Sequence, residues 1–208
     1  MIRILLADDH AVVRSGYRRL LDAEPDLRVV AEAASGAQAY AAVVEDPPDV
    51  VVLDLNLGDG SGIEVMRRML ARHPGLKVLV FTMYNSPAHA TQALRAGALG
   101  YLTKSSDPAQ MIDAVRSVAS GRQVIAPEVA QAIAREMVSG EGVFGRLTPR
   151  EFEVVRMLVR GDAVPAIAEQ LHLSQKTVFN YVSLVRQKLE VENDFQLLHL
   201  AMRHGLLS

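Results

Sequence analysis

The run IRILLADD (residues 2–9) decides the fold. Its apolar, β-branched half reads as a strand buried on both faces, and it ends in two adjacent carboxylates, Asp8 and Asp9. Side by side at a strand end they repel each other, so a positive group is expected to compensate them. Four further runs of the same kind follow: RVVAEA (28–33), DVVVLD (49–54), KVLVFT (77–82) and ALGYLT (98–103). Amphipathic stretches near 11–23, 36–46, 62–72, 86–96 and 107–119 separate them. The last opens on Asp107-Pro108, a cap residue before proline at the first helical position. Five strand–helix units with continuously apolar strands predict a doubly wound parallel sheet covered on both faces. The expected strand order is 2-1-3-4-5.

Composition narrows the class. Half of the 208 residues are hydrophobic and 22% are charged, which describes a globular chain and not a disordered one. There is no cysteine, so disulfides and thiolate metal sites are excluded. No basic-then-apolar leader opens the sequence, and no apolar run reaches the ~18 residues of a membrane helix. A soluble cytoplasmic protein without membrane contact is expected. The net charge of -2 divides unevenly: residues 1–120 carry 12 Lys+Arg against 14 Asp+Glu, and residues 146–208 carry 8 against 7. The C-terminal part is therefore a weakly basic footprint for a nucleic-acid partner.

After Gly121 the alternation stops. Residues 121–145 hold one short helix-like segment and then a Gly/Ser-rich stretch, which together read as a linker. From Arg146 onward the signals are helical only, at roughly 149–160, 164–171, 175–189 and 194–205. Thr148, Pro149 and Glu151 form a capping box. The break HLS (172–174), with Ser174 as cap, gives the short helix, tight turn and longer helix of a helix-turn-helix. The predicted division is 1–120, 121–145 and 146–208.

In an open parallel sheet, ligands sit beyond the carboxyl ends of the strands where the order reverses. Asp8 and Asp9 after the first strand, Asp54 after the third, Thr82 after the fourth and Lys104 after the fifth stand at those ends. Three carboxylates suit a hard divalent cation such as Mg²⁺. A lysine and a hydroxyl facing the same pocket add sites for an anion, above all a phosphoryl group. A carboxylate can itself be the nucleophile, and Asp54 on the central strand is best placed for it. Taken alone, Asp8 and Asp9 would read as a helix cap, Lys104 as a solvated lysine and Thr82 as an ordinary strand-end residue; their conjunction argues for the site.

Residues 1–120 resemble the receiver domain of bacterial two-component response regulators, which has a flavodoxin-like fold. The resemblance implies that Asp8, Asp9, Asp54 and the backbone carbonyl of Asn56 hold Mg²⁺. It implies that Asp54 is the phosphoacceptor of a partner histidine kinase and that Thr82 and Lys104 contact the phosphate. It pairs Tyr101 with Thr82 as a switch, where the residue alone reads as a half-buried strand tyrosine. Two positions depart from the pattern. Gly58 stands where the family often has proline, which implies a looser loop. Ser105 follows the lysine where many receivers have a cis-proline, and a cis bond before a non-proline residue costs ~3 kcal/mol.

The C-terminal region resembles the LuxR-type DNA-binding domain through Leu147-Thr148, Arg150-Glu151, Val154, Gly161, Ile167-Ala168, Leu171, Ser174, Lys176-Thr177-Val178 and Lys188-Leu189. Together the two halves resemble a NarL/FixJ-type response regulator with a small all-α, four-helix helix-turn-helix domain. Val178, Val182, Val185 and Leu189 repeat at helical spacing and are expected to face inward. The expected DNA surface is Ser174, Gln175, Lys176, Thr177, Phe179, Asn180, Ser183 and Arg186, with Lys176 and Arg186 as phosphate contacts and Asn180 reading adenine. For each, a solvated helix residue is the plain alternative. Phe179 and Tyr181 replace a basic residue and a histidine of the usual pattern, and AVPAIA (163–168) replaces its polar SNKEIA. Weak basicity implies a homodimer on paired half-sites. Leu197, Leu198, Ala201 and Met202 on the last helix offer an apolar stripe that serves either the dimer or the core.

The expected function is phosphorylation-controlled transcription regulation on double-stranded DNA. A competing reading makes the C-terminal helices a module that binds a partner protein. An enzyme acting on outside substrates is not expected; any turnover is confined to the protein's own aspartyl phosphate.

Overall fold

All five expected strands form, and each runs parallel to its neighbours. In the computed structural model they are β1 (Ile2–Ala7), β2 (Leu27–Ala33), β3 (Val50–Leu53), β4 (Lys77–Thr82) and β5 (Gly100–Thr103). A sixth, β6 (Val124–Ile125), extends the sheet to the order β2-β1-β3-β4-β5-β6. It lies inside the expected linker, where a strand of two residues is too short to carry a period. The structure describes residues 1–58, 60–139 and 142–206.

The chain divides into two units. The first comprises Met1–Met83 and Ala96–Ala126. Its sheet is covered by α1 (Ala11–Asp22), α2 (Gly36–Glu45), α3 (Gly62–Arg72) and α5 (Pro108–Ala119). Ile4, Leu5, Val50, Val51, Leu53, Val78, Leu79 and Val80 are fully buried, as two covered faces require. The helices start where short polar side chains take up orphan amides: Ser35 accepts from Gln38, Ser61 from Glu64, and Asp107 from Ala109 ahead of Pro108. No cis peptide occurs among the described residues, so the Lys104–Ser105 bond is trans.

The second unit comprises Tyr84–Arg95 and Pro127–Ser208. It contains α4 (Pro87–Arg95), α6 (Pro127–Ser139), a 3₁₀ turn at Val143–Arg146, then α7 (Pro149–Val159), α8 (Val164–Gln170), α9 (Gln175–Leu189) and α10 (Asp194–Arg203). The capping box forms as expected, with Glu151 accepting from the Thr148 amide and Thr148 from the Glu151 amide. Glu151 also takes the Lys188 ammonium at 2.7 Å. Burial would raise its pKa, but the Lys188 ammonium and the Thr148 amide outweigh that and hold it below the usual value. Val154, Met157, Ile167, Ala168, Leu171, Val178 and Val182 form the core around the helix-turn-helix. The inward assignment of Val178, Val182, Val185 and Leu189 holds. The expectation for α10 divides: Leu197 and Ala201 are core, Leu198 is half-buried, and Met202 is exposed.

Candidate functional site

The strand ladder continues past the strand ends and so places the acidic residues. Ala7 is in register with Leu53, and the Asp54 amide donates to the Ala7 carbonyl at 2.8 Å. The Asp8 amide likewise donates to Ala33, and the Lys104 amide to Thr82. Asp8, Asp54, Thr82 and Lys104 thereby stand together at the carboxyl ends of four adjacent inner strands.

The side chains converge. Lys104 Nζ lies 2.7 Å from Asp8 Oδ2 and 2.5 Å from Asp54 Oδ2, and the three side chains are 7%, 8% and 2% exposed. Burial works against the ammonium, but its hydrogen bonds to Asp54 and Asp8 prevail and its pKa is raised. The other Asp54 oxygen accepts the Asn56 amide at 3.1 Å. Asp9 remains partly exposed and faces His10, whose Nδ1 is 2.7 Å from its Oδ1. Ligand atoms of Asp8, Asp9, His10 and Asp54 all lie within 4.8 Å of one another.

Three carboxylates against one ammonium leave a negative excess in a partly buried pocket. The donor set is mainly carboxylate oxygen, and this fits a hard divalent cation held by Asp8, Asp9 and Asp54. The helix-cap reading of the acidic pair does not describe the structure. His10 occupies the cap of α1, and Asp8 accepts the His10 amide at 2.9 Å.

Thr82 and Tyr101 are both completely buried, so the tyrosine is not half-exposed. Thr82 Oγ1 has no hydrogen-bond partner among the described residues. Asn56 bridges Ser61 across the loop that follows Asp54. Gly58 adopts φ +71°, a left-handed conformation that proline, locked near −65°, cannot take. The departure from the family pattern is therefore a different turn as well as a residue change.

Sequence reasoning missed three residues here. His10 adjoins the acidic pair. Arg14 falls one turn further along α1, and its guanidinium donates to the Asp8 carbonyl at 2.5 Å. The i, i+4 spacing from His10 was the available signal. Gly62 opens α3 where a Cβ would stand 2.6 Å from the Asp54 carbonyl oxygen and from Leu55 Cα, a close approach no sequence pattern reveals.

The second candidate surface lies on α9. Gln175, Lys176, Phe179, Asn180 and Ser183 are exposed, as expected. Ser174 and Thr177 are occupied locally: the serine hydroxyl accepts the Thr177 amide at 3.1 Å and lies 2.8 Å from the threonine hydroxyl. Arg186 is half-buried and paired with Asp194 at 2.7 Å. Phe179 is 57% exposed, a large apolar side chain in the middle of the outward face.

Known families match both halves. Residues 4–116 match the response regulator receiver domain, and residues 146–201 match the luxR family of bacterial regulatory proteins. The response regulator UvrY of Escherichia coli (strain K12) is 36% identical over 99% of this chain and 96% of its own length. The transcriptional activator protein ExaE of Pseudomonas putida is 40% identical over 98% and 97%. RcsB from Salmonella enterica serovar Typhimurium, solved bound to promoter rprA in the presence of phosphomimetic BeF3-, superposes with TM-score 0.79. It is 27% identical over 96% of this chain and 97% of that one. With an acidic strand-end pocket in one unit and a helix-turn-helix in the other, the chain belongs to the NarL/FixJ-type response regulators, a receiver joined to a LuxR-type DNA-binding domain.

Proposed function

We propose that Asp54 is phosphorylated by a histidine kinase with Mg²⁺ bound by Asp8, Asp9, Asp54 and the Asn56 carbonyl, and that this controls dimerisation and DNA binding by α9. The observation that carries the reading is Lys104 bridging Asp8 and Asp54 in a pocket that keeps a negative excess. The ammonium holds one Asp54 oxygen, and the Asn56 amide holds the other. One carboxylate oxygen attacks the phosphorus of phosphohistidine. The P–N bond breaks with its electron pair going to the imidazole, and an acyl phosphate forms on Asp54. Bound Mg²⁺ supplies charge neutralisation at the phosphoryl oxygens. Lys104 transfers its contact from Asp54 to the new phosphoryl group, and the unpartnered Thr82 hydroxyl offers that group a donor. Tyr101, fully buried on the neighbouring strand, is the switch residue whose arrangement follows Thr82.

Downstream, Lys176 contacts DNA phosphate and Asn180 a base edge, with Gln175, Phe179 and Ser183 beside them. The DNA-bound RcsB structures support DNA as the partner of this domain. The protein acts in the cytoplasm; among the described residues no helix is long and apolar enough to cross a membrane. Asp54→Asn should abolish labelling by acetyl phosphate, and persistent labelling at another residue would falsify the assignment. The exposed Phe179 favours a second reading, in which α9 binds a protein. A gel shift lost steeply with salt supports DNA, and no shift at any salt supports the protein partner.

A further inference from the structure

Helix α4 is built into the second unit by polar groups, which is unusual for a packed helix. Gln92 is fully buried, and its side-chain amide donates to the carbonyls of Phe144 at 2.9 Å and Leu147 at 3.0 Å. Arg95 donates to the Gly145 carbonyl. His89, 1% exposed, stacks on Tyr84 with the ring centroids 4.3 Å apart and meets the edge of Phe152 on α7 at 5.3 Å. Beside it Glu153 and Arg156 form a buried pair at 3.1 Å, and Arg156 also bonds Tyr84.

This interface leaves hydrogen-bonding capacity unused. Both ring nitrogens of His89, Ser86 Oγ, Gln92 Oε1, Glu153 Oε1 and Arg156 Nη1 have no hydrogen-bond partner among the described residues. Each such atom gives back part of what apolar burial supplies, so water satisfies the interface better when it opens. A neutral imidazole in this position leaves one donor unmet. A protonated one leaves two and adds a charge beside Arg156. Charged residues on the elements packed against α4 are Glu128, Arg135 and Glu136 on α6, Arg146 in the 3₁₀ turn, and Arg150, Glu151, Glu153 and Arg156 on α7; α4 itself carries Arg95.

We propose that Tyr84–Arg95 is a proton-sensitive latch, closed on α7 and the 3₁₀ turn when His89 is neutral and released when His89 takes up a proton. Burial, and then the Arg156 charge, push the His89 pKa down to about 3 while the latch is closed. An opened histidine returns to the ordinary value near 6.5. Acidification through that range therefore favours the open form. The latch begins two residues after Thr82 in the chain, so α4 gains a second input that does not require a phosphate on Asp54.

Hydrogen–deuterium exchange on the full-length unphosphorylated protein tests this, with rates corrected for their intrinsic pH dependence. Between about pH 8 and about pH 5.5, linkage predicts an about tenfold rise in opening for peptides covering 84–95 and 149–159, while β1 and β3 keep their protection. His89→Phe keeps a ring against Tyr84 and Phe152 but cannot titrate, and His89→Gln is neutral throughout. Either variant, if folded, should lose the tenfold change. The imidazole signal of wild-type His89 gives a second readout: linked opening gives it an apparent midpoint below 6.5. Equal wild-type protection at both pH values, retention of the change in the variants, or His89 titrating near 6.5 without any opening overturns the proposal.

Discussion

Lys104→Met separates the two roles the pocket asks of its lysine. In wild type one ammonium pairs with two buried carboxylates at 2.5 and 2.7 Å. Methionine keeps most of the stem volume and removes the charge, leaving Asp8, Asp9 and Asp54 facing one another. Removing one partner of a buried ion pair costs about 3–5 kcal/mol. Asp9 still reaches solvent, so the lower end applies, about 3 kcal/mol. For a unit of this size that lowers the melting temperature by roughly 10 °C in metal-free buffer. The same change removes the ammonium that competes with a divalent cation for Asp8 and Asp54. Mg²⁺ should therefore bind the variant more tightly, by about tenfold for each 1.4 kcal/mol of relieved competition. Calorimetric melting in chelator, followed by Mg²⁺ titration, measures both. A variant that melts with wild type in chelator and binds Mg²⁺ with unchanged affinity would show that Lys104 is not the pocket's counter-charge.

Gly62→Ala should destabilise the first unit by about 2 kcal/mol or more and slow Asp54 labelling, because a Cβ 2.6 Å from the Asp54 carbonyl forces the loop backbone to move; wild-type melting and labelling would refute the close-packing argument. Glu151→Gln should cost about 1–2 kcal/mol at neutral pH, through the lost ion pair with Lys188 and a weaker cap. Since the folded-state pKa of Glu151 is lowered, that contribution is present above the usual glutamate range and disappears as the pH falls through the folded value. Denaturant melts at neutral and acid pH read the difference. Lys176→Ala should weaken DNA binding about equally for all sequences and reduce the salt slope by about 1, whereas Arg186→Ala should change it less because Asp194 already holds the guanidinium. Gel shifts across a salt series compare the two.

The pocket was legible because each of its members needed only a strand end to be located. A strand boundary misplaced by one residue, as at Asp49–Asp54 against Val50–Leu53, still leaves Asp54 at the carboxyl end. The α9 inner face was legible for a similar reason, since four valine and leucine positions at helical spacing admit one orientation. Whether Arg186 was available to DNA was not legible. Its pairing with Asp194 joins two helices across a turn, and no local pattern encodes that contact. Gly62 was hidden for the same reason, its neighbour being the backbone of another segment.

Helix α4 shows where pattern reading fails in principle. Hydrophobic periodicity places polar residues outward, yet His89 and Gln92 are as buried as Ala90 and Ala93. The opposite exception stands on α9 and α10, where Phe179, Leu184, Phe195 and Met202 are exposed. Scattered exposed apolar residues are ordinary, but these follow one another along two consecutive helices of a region that carries almost no net charge. Such a surface gains little from counterion release by a single copy, so useful affinity has to come from apolar contact, shape or a second copy. The buried polar latch and the exposed apolar helices break the same rule in opposite directions. Local departures of this kind cost stability where they occur and persist where something else is gained. In this protein they fall on the helix that follows Thr82 and on the helices proposed to meet DNA and a second protomer.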